Sequence, residues 1–231
     1  MMKRLTRTIS LLVLLVHVVS GPVHAREADT RHYLPAGSVD ADAVIQPPPA
    51  VGSAAFKEQL AIVLWLQRTR TPAQVEFVQK PLDLERFVPL FDVDLVGVDG
   101  IALKHVIDTA IDEVRAEYEA LKAKFDLPRP FEVSDAVEPV AEARAVAAYP
   151  SGHAIRATVY ARLLSEIFPD RKQALVDLAR QIGYGRVIAG VHYPMDVLAG
   201  QKLGEAYADA IVNRSQFKQA IECIRARQPC P

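Results

Sequence analysis

The sequence predicts an all-α protein, a compact helical bundle. Apolar residues from Ser53 onward recur at alternating spacings of three and four, the period of a half-buried helix. No stretch alternates apolar and polar residues as a strand facing solvent would. Caps and breakers (Ser, Thr and Asp before the periodic runs, Pro and Gly after them) fall where helices should start and stop. Half of the 231 residues are hydrophobic, enough for one core, and the formal net charge is −1. So even a balance gives no reason to expect nucleic acid or an anionic membrane as partner.

Residues 1–25 are expected to lie outside the fold. Lys3, Arg4 and Arg7 form a basic start, Ile9 to Val19 a short apolar run, and Val23-His24-Ala25 a small-residue end. That order is the pattern of a secretory signal peptide cleaved after Ala25, and it predicts a periplasmic or secreted protein. Removal takes three basic residues and no acidic one, leaving 24 against 28, a net charge of −4. No later segment has the uninterrupted apolar length of a membrane span, so stable membrane insertion after cleavage is not expected. Residues 26–52, ending in "IQPPPAVGS", read as an extended proline-rich arm rather than a packed element. Residues 53–231 form the single helical domain.

Within that domain, Ser53 to Gln67 carries Phe56, Leu60, Val63, Leu64 and Leu66 at helical spacing. A second helix begins at Thr69 or Thr71-Pro72 and runs to about Gln79; Pro81 to Val93 reads as turns with a short helix. Asp99 to Phe125 is the clearest long helix, with Leu103, Ile107, Ala110, Val114, Tyr118, Leu121 and Phe125 on one face. Pro128 and Pro130 end it. Phe131 to Ala148 reads as a loop with one short helix. Ser151 to Phe168 is helical, Asp170 is expected to cap a helix reaching about Ala189, and Gly190 breaks it. Pro194 opens a long helix to about Asn213, and Ser215 to Arg227 completes the bundle. Cys223 and Cys230 near the C-terminus are expected to close the tail as a disulfide in an oxidising compartment.

Four places do not suit a plain bundle. Arg186 falls on the apolar stripe of Leu175, Leu178, Ile182 and Ala189, and a buried guanidinium needs an anion. Gly183 and Gly185 beside it suggest close approach by another backbone or a ligand. Lys122 at a helix end and Arg129 between two prolines place two cations where they could converge on one anion, although a solvated basic helix end would look the same. "AAYPSGHAIRAT" enters a helix through Ser151 and Gly152, which leaves free N–H groups at the positive end of the dipole. His153 in that first turn is an odd choice unless something negative sits there. In "GVHYPMDVLAG", Asp196 lies four residues after His192 and could fix its tautomer; a turn histidine with a capping Asp is the plainer alternative. A metal site is not expected, because no cluster of further ligands accompanies the pair. Three long cations, one helix N-terminus and two histidines fit phosphoryl transfer through a histidine.

These segments together resemble the signature of the type 2 phosphatidic acid phosphatase superfamily, which includes vanadium-dependent haloperoxidases. "KAKFDLPRP" is similar to its K-x6-R-P, "PSGH" to its second element, and "GRVIAGVHYPMD" to its S-R-x5-H-x3-D. With a signal peptide and a proline-rich arm, the chain looks like the bacterial class A non-specific acid phosphatases. The resemblance implies a periplasmic phosphomonoesterase of broad specificity, with no metal or other cofactor and a small phosphomonoester as partner. Carried over by position, His192 would be the nucleophile, Asp196 its orienting carboxylate, and His153 the general acid and later base. Lys122, Arg129, Ser151, Gly152 and Arg186 would bind the phosphate. Gly185 stands where the third element usually has Ser, which costs one hydroxyl hydrogen bond of about 1 kcal/mol. The alternatives are a vanadate-dependent haloperoxidase, a lipid or pyrophosphate phosphatase, or a catalytically weakened phosphate-binding protein.

Overall fold

The computed structural model describes residues 31–91, 98–144 and 146–226. The segment read as a signal peptide and Cys230 of the expected disulfide lie outside them. The described residues contain helices α1 (Ala41–Val44), α2 (Ala54–Thr69), α3 (Pro72–Gln79), α4 (Val98–Phe125), α5 (Pro130–Val133), α6 (Gly152–Ile167), α7 (Lys172–Ile188), α8 (Pro194–Val212) and α9 (Ser215–Ala226), and no strand. None of these helices is long and apolar enough to cross a membrane.

The caps explain the starts. Ser53 Oγ accepts from the Phe56 amide, and Thr71 and Gln74 cap α3 reciprocally. One boundary differs from expectation. Asp170 does not cap α7, because Pro169 to Arg171 form a 3₁₀ turn and the helix begins after it, at Lys172. Proline at the first position favours that tight turn.

α6 is the central helix: it is buried on most of its circumference and packs chiefly against α7 and α8. Glycines on α8 make this approach close enough to bring two backbones into contact. A Cβ at Gly200 would lie 2.6 Å from the Ser151 carbonyl oxygen, and one at Gly204 would lie 2.8 Å from that of Ile155. α8 therefore has to present hydrogen atoms there, and the first turns of α6 and α8 come to lie side by side. Gly183 and Gly185 on α7 serve a similar purpose, but what approaches them is side chains. Val197 meets the first and Val78 the second, rather than the backbone or ligand that the sequence suggested.

The arm departs further from expectation. Residues 31–52 run through bends, turns and the short α1, and Tyr33, Leu34 and Ile45 are buried in the core. The cause sits on α4. The buried Glu113 carboxylate accepts the backbone N–H groups of His32, Tyr33 and Leu34, and Arg31 pairs with Glu117 one turn on. Tyr149 fastens the far end, its hydroxyl donating to the Gln46 carbonyl.

Candidate active site

Three chain segments meet at one end of α6. α4 ends where Asp126 adopts a left-handed conformation (φ 42°), which an aspartate tolerates better than most residues. The chain then reverses into Leu127-Pro128-Arg129. The turn is stitched to the segment before α6: Ala148 N–H donates to the Leu127 carbonyl, Lys122 Nζ to that of Ala147, and Arg129 Nε to that of Val146, each at 2.7 Å. Arg129 Nη1 reaches the Val191 carbonyl at 2.6 Å, and Ser151 N–H donates to the Asp196 carbonyl at 2.9 Å. Main-chain bonds thus join all three sequence segments into one frame.

His192 is buried in that frame. Its Nδ1 lies 3.0 Å from Asp196 Oδ2, which also accepts the Tyr193 N–H at 2.9 Å. A carboxylate only accepts, so Nδ1 carries the proton and the Nε2 lone pair is free to point outward. There it meets Arg129 Nη1 at 2.7 Å. Burial, with Arg129, Lys122 and Arg186 nearby, holds His192 well below the usual histidine range, so its ring is neutral. Burial pushes Asp196 up to about 7, opposed by the Tyr193 amide and by Arg129 and Lys122.

In front of His192 lies a cleft of about 480 Å³. Of the positions expected from sequence, Lys122, Arg129, Gly152, His153, Arg186 and His192 line it together. Ser151 and Asp196 stand behind the wall, both fully buried. Ser151 Oγ caps α6 through the Ala154 amide. Gly152 fits against Tyr118, whose ring a Cβ would meet at 2.8 Å. His153 is held well below its ordinary value by burial, then by Arg186, Arg156, Arg129 and Arg86. Burial and the Arg129 charge take Lys122 down to about 8. Arg186, lowered to about 10 by burial and by Arg129, Arg156 and Arg86, keeps its charge at neutral pH. Its buried Nε has no hydrogen-bond partner among the described residues. Such a guanidinium calls for an anion in the cleft.

Sequence reasoning missed three cations of the lining, Arg115, Arg144 and Arg156. Two had a signal. Arg115 lies seven residues before Lys122 on the same face of α4, and Arg156 lies three after His153 on α6. Gly185 also gains an explanation. Val78 of α3 lies where a side chain at 185 would go, with Cγ1 2.9 Å from the ideal Cβ position.

Fold and site together define a class: a helical protein whose buried histidine–carboxylate pair faces a cleft rich in Lys and Arg at the N-terminus of its central helix. The PAP2 superfamily model matches residues 102–219, half of the chain, and the chain belongs to that superfamily. It is 35% identical over 77 residues to a non-specific acid phosphatase of Salmonella typhimurium, a match covering 33% of this chain and 31% of that protein. It is 24% identical over 200 residues to a non-specific acid phosphatase of Providencia stuartii, covering 80% and 79% of the two chains. In structure it is similar to a bacterial vanadium-dependent iodoperoxidase, with TM-score 0.55, 18% identity and coverage of 73% and 52%. The last likeness concerns the fold alone.

Proposed function

We propose that the protein is a phosphomonoesterase, an acid phosphatase of broad specificity, working through a phosphohistidine on His192. The observation that carries the reading is the neutral His192 ring, its Nδ1 proton held by buried Asp196 and its Nε2 directed at a cationic cleft. The two non-specific acid phosphatases it resembles support the same reading. The signal-peptide pattern of residues 1–25 supports export to the periplasm or beyond.

Lys122, Arg129, Arg186 and the first amides of α6 take the non-bridging oxygens of the phosphate. Arg129 then turns its charge from His192 Nε2 to the phosphate and frees the lone pair. Nε2 attacks phosphorus, a P–N bond forms, and the P–O ester bond breaks. The bound dianion offsets the arginine charges that lower His153, the ring takes up a proton, and protonated His153 gives it to the departing alcohol oxygen. In the second half, neutral His153 takes a proton from water as the water oxygen attacks phosphorus. The P–N bond breaks, and phosphate and neutral His192 are released. Asp196 balances the charge that the imidazole acquires between the two steps.

The test is hydrolysis of phenyl phosphate across pH, with chelator present, by the protein lacking residues 1–25. Turnover that survives chelator and is lost in His192→Ala is expected. No turnover, or full activity in His192→Ala, would reject the proposal.

A further inference from the structure

Two guanidiniums in the cleft have no part in the chemistry just described. Arg115 stands two helical turns before Lys122 on α4, about 10 Å along the axis. Arg156 stands on α6 just after His153. Both line the cleft and both act on the Tyr118 hydroxyl, Arg115 by a hydrogen bond to it, so they share one wall. Arg156 makes one long contact, Nε to the Gly152 carbonyl at 3.4 Å.

Neither has a carboxylate at ion-pair distance among the described residues, unlike their neighbours. Arg144 across the cleft pairs with Glu142 at 2.8 Å, and Arg162, further along α6, pairs with Glu205 and Asp209 at 2.9 and 2.5 Å. Glu119 lines the cleft one helical turn after Arg115, and its charge is also felt by Lys122 and Arg129. Lys122, Arg129 and Arg186 already suffice for one phosphate dianion, which leaves two positive charges near the mouth that no carboxylate among the described residues pairs with.

We infer that Arg115 and Arg156 form a subsite for a second phosphate group. The preferred substrate is then a phosphomonoester bearing another phosphate several ångströms from the scissile one. Two helical turns between Arg115 and Lys122 suit phosphates at the two ends of a hexose better than the adjacent phosphorus atoms of a diphosphate. The inference rests on the phosphatase reading and names its substrate class.

The experiment compares a hexose bisphosphate, the matching hexose monophosphate, inorganic pyrophosphate and phenyl phosphate at fixed ionic strength. Wild type, Arg115→Gln and Arg156→Gln are assayed on each. Arg115 is the cleaner probe, since the charges that chiefly lower the two histidines are Arg129, Arg186, Arg156 and Lys122. Wild type should favour the bisphosphate over the monophosphate in kcat/KM by about tenfold or more, the worth of a charge-assisted hydrogen bond. Arg115→Gln should erase most of that margin through KM and change phenyl phosphate by less than about threefold. Equal kcat/KM for bisphosphate and monophosphate in wild type overturns the inference, as does an equal loss on both in the variants or a preference for pyrophosphate. If no ester is turned over, the phosphatase reading has failed, and binding to His192→Ala decides the subsite. A bisphosphate held about tenfold tighter than the monophosphate sustains it, and equal affinity overturns it.

Discussion

Replacing Asp196 with Asn should lower activity and raise stability, and both effects can be sized. An Asn oxygen at the Oδ2 position would keep the bonds from His192 Nδ1 and the Tyr193 amide, so the geometry survives and the charge does not. Attack by His192 places positive charge on a ring about 4 Å from the carboxylate. At an effective dielectric near 20 that pair is worth about 4 kcal/mol. The Asn variant should therefore lose about a thousandfold in kcat. Stability moves the other way. The folded carboxyl is pushed up from 3.8 to about 7, so ionised Asp196 opposes folding. The cost is absent below the unfolded value, grows as pH rises, and levels off above 7. It amounts to about 2 kcal/mol at pH 5 and about 4 kcal/mol at pH 8. The new amide takes the place of Oδ1, which has no partner among the described residues, and leaves N–H groups unpaired there, which gives back about 1–3 kcal/mol at either pH. The difference in Tm between Asn and wild type should thus be more positive at pH 8 than at pH 5, by about 5–10 °C for a chain of this size. Thermal melts at the two pH values and a kcat measurement suffice. An activity within about tenfold of wild type, or the same Tm difference at both pH values, would refute the reasoning.

Other outcomes follow from the same geometry. His153→Ala should cost about 10²–10⁴ in kcat on an alkyl phosphate and far less on p-nitrophenyl phosphate, whose leaving group needs no proton; equal losses would remove His153 as the acid. In wild type the alkyl phosphate rate should fall as pH rises through the His153 pKa in the complex, and this basic limb should vanish in the variant. Gly200→Ala puts a methyl 2.6 Å from the Ser151 carbonyl oxygen, so α6 and α8 must part. A loss of about 1–3 kcal/mol in chemical denaturation is expected, with kcat falling as well because His153 and His192 ride on opposite sides of that contact. Gly185→Ser alone should destabilise and fail to raise kcat/KM, because Val78 occupies the space; the pair Gly185→Ser with Val78→Ala should recover stability. Denaturation and kinetics of the single and double variants check this.

Much of the helical order was legible because α4, α6 and α8 each carry a long apolar stripe bounded by proline or a cap. The buried Arg186 was legible for the same reason: a cation on an apolar stripe stands out. Arg115 was harder to read: its place seven residues before Lys122 was a signal, but an arginine on an exposed helix face looks like ordinary solvation until the fold brings α6 beside it. The packed arm was missed because its anchor is one carboxylate, Glu113, some 80 residues away, bonded to backbone amides that any sequence would supply. Asp170 misled for a local reason, since the proline before it favoured a 3₁₀ turn over a cap. Gly185 was legible as a missing hydroxyl but not as a consequence of Val78, because the distance between α3 and α7 is a property of the packing.

The central claim is that phosphorus passes through His192. Rapid mixing of the protein with p-nitrophenyl phosphate, an alkaline quench that spares the P–N bond, and peptide mass spectrometry test it directly. The account predicts a phosphoryl group on the imidazole of His192 that appears before steady state and is absent from Asp196→Asn on the same timescale. Full turnover with an unmodified His192, or phosphate found on Ser151 instead, would contradict it.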